Sequence, residues 1–175
     1  MSLSIDAWSH LTKYTGPPCG DETQVLRDSI ARSQAGLEPL YVHFTHARLH
    51  TDPKTADEIR EEFGLEPDVC YEGAEHMEFD LGYGEYDAWL DWLESWNPEA
   101  RMAIHGGDDD NAHGSREAEA VLEALNLTLF ETTFGSAEID FGDDGDGGYE
   151  GAEVIYRNFV KAYGLAAQGG LISFR

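Results

Sequence analysis

From Glu61 to Ala100 the chain carries 13 Asp and Glu and not one Lys or Arg. Between Arg116 and Arg157 it carries 11 more acids, again without a base. Unpaired carboxylates cannot share an interior, because an ionised group taken out of water without a partner is far too costly. Any folded form must turn these residues outward and bury other side chains from the same segments. Residues 51–153 hold 30 acids against four Lys and Arg, residues 1–50 hold five against four, and residues 154–175 hold three bases and no acid. The overall formal charge of −24 therefore belongs to one block. Self-repulsion on that scale opposes compaction and is relieved by a cationic partner, a salty medium or bound cations.

Eight Phe, eight Tyr and four Trp in 175 residues argue against disorder, and the length suits one domain with a substantial core. No apolar run approaches the ~18 residues of a membrane span. The N-terminal MSLSIDAWSHL has no basic segment followed by an apolar one, so it does not read as a secretory signal. Anionic leaflets would repel the acidic block. A cytoplasmic protein is expected (in the host cytoplasm, if phage-encoded), with no membrane partner. Cys19 and Cys70 fit two reduced thiols, and neither belongs to a C-x-x-C pair that could build a zinc site.

The periodicities predict helices over Glu22–Gln34, from Thr51 to Phe63, over Glu85–Trp96, over Ser115–Leu125 and from about Gly151 to Tyr163. Strands are predicted at Leu40–Phe44, 76–82, 101–105 and Leu171–Phe174, with Thr128–Thr133 and Ala137–Phe141 as a hairpin around Gly135-Ser136. Ser115 is read as a simple helix cap. The expected fold class is α+β. It is a compact single domain over residues 1–175, with about five helices around a mixed or antiparallel sheet.

On the Glu85–Trp96 helix, Tyr86, Trp89, Leu90, Leu93 and Trp96 share one face, and Asp87, Asp91 and Glu94 share another. Glu58 with Glu62, Asp57 with Glu61, and Glu119 with Glu123 repeat the i, i+4 spacing of acids. Surface helices ordinarily place Lys or Arg four residues from such acids, and on the Glu85–Trp96 helix those cations are missing. Duplex DNA displays one negative charge per ~1.7 Å of axis, and its binders answer with Lys and Arg. A rigid protein bearing rows of carboxylates could occupy the same basic groove. In composition and layout this resembles the acidic anti-restriction and anti-CRISPR proteins of phages and plasmids that imitate DNA. The resemblance is one of charge and covers no alignable segment. Proteins of molar-salt cytoplasms are also acidic and poor in lysine, and three Lys fit that alternative. Salt adaptation, however, should spread acids over the whole surface.

Other constellations carry less. His43, His46 and His50 would share a face only if helical, and Leu40-Tyr41-Val42 favours a strand, which sends His43 and His46 to opposite sides. The run His43-Phe44-Thr45 also resembles ADP-ribosyl-transferase sequences, over three residues only. His105 and His113 flank Asp108, Asp109 and Asp110, three consecutive acids whose side chains diverge. The loop from Asp140 through Asp143, Asp144 and Asp146 is oxygen-rich but fails the EF-hand register, with Gly142 at position 3 and Gly151 at position 12. No nucleophile elbow, Walker loop or dinucleotide fingerprint is present, so no catalytic residue, metal or cofactor is implied.

The sequence thus reads as a non-enzymatic acidic binding protein, its narrowest form a DNA-mimic inhibitor of a nucleic-acid-binding defence complex. The expected partner is a basic nucleic-acid-binding protein or complex, with no direct nucleic-acid contact. Candidate contacts are Glu58, Glu62, Asp87, Asp91, Glu94, Asp108, Asp109, Asp110, Glu119, Glu123, Asp143, Asp144 and Asp146. The near-neutral N-terminal region and the basic, aromatic C-terminal helix and strand would build the core or a homodimer contact. The alternatives are a salt-adapted cytoplasmic protein and a metal-dependent enzyme using the His/Asp clusters.

Overall fold

Leu3, Ile5 and Ala7 alternate with Ser4, Asp6 and Trp8, and a period of two sends the two sets to opposite faces of a strand. The computed structural model, which describes residues 2–13, 41–42, 60–61, 64–65, 71–105, 112–139 and 151–174, places that strand inside the main sheet. Strand β1 (Ser2–Ser9) pairs antiparallel with β5 (Glu75–Gly82) on one side and β7 (Leu171–Phe174) on the other. Strand β6 (Ala112–Gly114) adds to β7, giving the antiparallel order β5-β1-β7-β6. Two-residue strands β2 (Thr12–Lys13), β3 (Tyr41–Val42) and β4 (Tyr71–Glu72) form a second antiparallel sheet, in the order β2-β4-β3.

Five helices are described: α1 (Tyr83–Trp96), α2 (Pro98–His105), α3 (Ser115–Leu125), α4 (Leu127–Phe134) and α5 (Ala152–Ala166). The architecture is α+β, as the sequence predicts. Helix α5 lies against β1, and Ala152, Ile155, Tyr156, Phe159, Ala162, Tyr163 and Ala166 along it are fully buried. They join Leu3, Ile5, Ala7, Leu81 and Ile172 from the sheet in one core. Phe159 stacks on Trp89 with centroids 4.5 Å apart, and Phe130 stacks on Tyr156 at 4.2 Å. Such pairs add roughly 0.5–1.5 kcal/mol each beyond area burial. The C-terminal helix and strand thus build the core.

Three local readings change. Residues 101–105 are helical, not a strand, because Asn97-Pro98 ends α1 and also starts α2, with proline in the first-turn position that lacks a need for its N–H. Residues 128–133 lie in α4, not in a hairpin, and 137–139 have no regular structure. Asn126 drives that change: it adopts the left-handed conformation (φ 47°), closes α3, and accepts the Leu129 N–H on its side chain to open α4. Ser115 does not cap its own helix. Its hydroxyl donates to Ala167 O (2.9 Å) and accepts from Gly169 N (3.2 Å), tying α3 to the end of α5. The Glu22–Gln34 helix lies outside the described residues, as does most of 51–63, of which 60 and 61 are helical.

Candidate functional site

Glu85 reaches back so that Gly82 N–H donates to its carboxylate (3.1 Å), giving the first turn of α1 an acidic cap that suits the positive end of the helix dipole. The apolar stripe Tyr86, Trp89, Leu90 and Leu93 then fixes the rotation of the helix against the core. Asp87, Asp91 and Glu94 are left exposed, as their spacing predicts. A rise of 1.5 Å per residue sets Asp87 and Asp91 ~6 Å apart along the axis, and Asp91 and Glu94 ~4.5 Å apart. Burial of Ala118, Val121 and Leu125 likewise turns Glu119 and Glu123 outward from α3.

Asn97 sets the relation between these two helices. Its side chain is buried, with Oδ1 accepting from Ala100 N (3.1 Å) and Nδ2 donating to Ala124 O (2.9 Å). One residue therefore ends α1, caps α2 and tethers both to α3. Helix α2 packs against α1 and against α3, and adds exposed Glu99, which sequence reasoning did not select. The two rows of acids are not merged; α2 lies between them.

Elsewhere, Arg157 Nη1 donates to Glu131 Oε1 (3.4 Å) over the Phe130 ring, and His76 lies against Asp6. Asp87, Asp91, Glu94, Glu119 and Glu123 take part in no ion pair among the described residues. Helix α5 exposes Arg157 and Lys161, whereas Arg116 is exposed on α3 one turn from Glu119 and Arg101 lies on α2. Burial pushes the Tyr86 hydroxyl up to about 12, Arg101 opposes that rise and Asp87 adds to it. Glu58, Glu62, Asp108, Asp109, Asp110, Asp143, Asp144 and Asp146 lie outside the described residues, as do His43, His46, His50, Cys19 and Cys70.

The structure also gathers two groups that the sequence did not suggest. His113 is buried and shares a hydrogen bond of 3.0 Å between Nδ1 and Tyr163 OH. Burial lowers the His113 pKa from its usual 6.5, and the Glu117 carboxylate pulls more weakly the other way. On the opposite face of the sheet, His76 Nε2 lies 3.1 Å from Asp6 Oδ1, and Glu78 completes a group whose donor atoms all fall within 4.8 Å of one another. Asp6 and His76 are 70 residues apart, so spacing along the chain gave no signal; the alternation of residues 2–8 marks a strand but not the strand it pairs with.

Among the described residues no helix is long and apolar enough to cross a membrane. No family model matches the chain, and neither a curated protein nor a solved structure is found similar to it.

Proposed function

We propose that this protein binds a positively charged protein surface through the carboxylates of α1 and α3. In its narrowest form the reading is a DNA-mimic inhibitor of a nucleic-acid-binding defence complex, of anti-restriction or anti-CRISPR type, from a phage or mobile element. The observation that carries it is the outward row Asp87, Asp91, Glu94, seconded by Glu119 and Glu123, all exposed and none ion-paired among the described residues. Asp87 to Glu94 spans ~10 Å of helix, or one charge per ~5 Å. One DNA strand displays a charge per ~3.4 Å. A single helix is therefore too sparse to stand for a duplex, and the reading requires α3, with Glu99 between, as a second row. Rigidity supports it, since stacked aromatic rings anchor α1 and Asn97 fixes its junction with α2 and α3.

The test is capture of basic nucleic-acid-binding proteins at ~0.1 M salt, where exposed charges act over ~10 Å, and release at high salt. Duplex DNA should compete, and the triple variant Asp87→Lys, Asp91→Lys, Glu94→Lys should abolish capture without altering the fold. Retention that is indifferent to DNA or to the triple variant refutes the proposal. A melting temperature that climbs steeply towards molar salt, with no partner retained, would favour salt adaptation instead.

A further inference from the structure

In the register of β1 on β5, Asp6 stands directly opposite Glu78, on the sheet face turned away from the helices. Like charges directly opposite across a pair of strands are destabilising. The conflict is sharper here because Asp6 is only 4% exposed, so water screens it poorly. Directly beside this pair, on the same face and strand as Glu78, is His76, whose Nε2 lies 3.1 Å from Asp6 Oδ1.

We propose that Asp6, His76 and Glu78 bind one divalent first-row transition-metal ion, of the Zn2+ or Mn2+ class. One imidazole and two carboxylates form a donor set suited to such ions, and three protein ligands leave a position open to water or substrate. Donors ~2.0–2.2 Å from zinc in tetrahedral array lie ~3.3–3.6 Å from each other, and at right angles ~2.8–3.1 Å. The 3.1 Å between His76 and Asp6 falls at the right-angle end of these spacings. The Glu78 oxygen lies within 4.8 Å of the others and belongs to an exposed side chain that can close the remainder by a rotamer change.

The surroundings orient the donors. Ser4 Oγ donates to Glu78 Oε1 (3.2 Å), and the Trp8 indole stacks on the His76 ring, centroids 4.9 Å apart and planes inclined by 24°. Partners of this kind fix ligand orientation at metal sites, and losing one costs roughly 10–100-fold in affinity. Ser4 thereby holds the Glu78 carboxylate within 4.8 Å of the His76 and Asp6 donors. The cluster is separate from the acidic rows of α1 and α3, and the proposal does not depend on a protein partner.

The experiment is calorimetric titration of the chelator-treated full chain with ZnCl2 and MnCl2, at a salt concentration that screens the exposed acids. One saturable equivalent is expected. His76→Gln and Glu78→Gln should each weaken it at least 10-fold, Ser4→Ala about 10-fold. Glu138→Gln, an exposed acid outside the cluster, should change nothing. Circular dichroism checks each fold, and Glu78→Gln and Ser4→Ala carry the test if His76→Gln fails to fold. Absence of a saturable equivalent, or equal affinity in wild type, Glu78→Gln and Ser4→Ala, overturns the proposal.

Discussion

Replacing Asn97 by Ala should loosen the junction that holds the two acidic helices in relation to each other. The substitution removes the cap on Ala100 N–H, in a buried position, and the donor to Ala124 O, in a half-buried one. Loss of an N-cap side chain costs about 1 kcal/mol. A buried carbonyl left without its donor costs ~1–3 kcal/mol, and partial burial of this bond places it near the lower half of that range. Together these give about 2–3 kcal/mol. For a chain of this length each kcal/mol lowers the melting temperature by ~2–4 °C, so a fall of roughly 4–12 °C is expected. Asn97→Ser keeps a capping oxygen and loses only the donor, and should recover about half. Urea denaturation followed by circular dichroism reads both, with an unchanged m-value showing that stability rather than compactness has moved. An Asn97→Ala protein within ~0.5 kcal/mol of wild type would refute the reasoning, as would an Asn97→Ser protein no better than Asn97→Ala.

Gly170→Ala should destabilise severely, because an added Cβ would run into the backbone carbonyl of Trp8, on a strand held by hydrogen bonds from both sides; soluble yield and thermal melting measure it, and a melt like wild type would refute that close approach. His113 takes up its proton near pH 6.5 when unfolded and at lower pH when folded, so the unfolded state binds more protons in that interval. Stability from this group is full above pH 6.5 and drains as pH falls towards the folded value. Denaturant midpoints measured from pH 7 to 5 should therefore fall less steeply in His113→Gln than in wild type.

Much of the helical layer was legible because its signals are local. The Trp, Tyr and Leu residues of α1 repeat at helical spacing with acids between them, and Asp87, Asp91 and Glu94 of that helix face outward. The errors came where one residue serves two elements. Asn97-Pro98, just past the predicted end of the helix at Trp96, both closes α1 and opens α2. Residues 127–134, LTLFETTF, have strand-forming composition, and propensity yielded to context. Phe130 and Phe134, one turn apart, pack on Trp96, while Thr132 and Thr133 hydroxyls donate to the carbonyls of Thr128 and Leu129 four residues back. The Asp6–His76–Glu78 group was invisible for a different reason. Its members meet only through strand register, which no spacing along the chain encodes.

The pairing of β1 with β7 has a consequence for synthesis. Ile5 meets Phe174 and Trp8 meets Leu171, so strands separated by nearly the whole chain must find each other before the sheet is complete. On the ribosome, residues 2–9 emerge long before residues 171–174 and must wait for them. Until then Leu3, Ile5 and Ala7 lack the cover that α5 later provides. Long-range strand pairing of this kind slows folding and lengthens the life of sticky intermediates. The dense negative charge of the intervening block makes such nascent chains repel one another, which opposes their association while the sheet is incomplete.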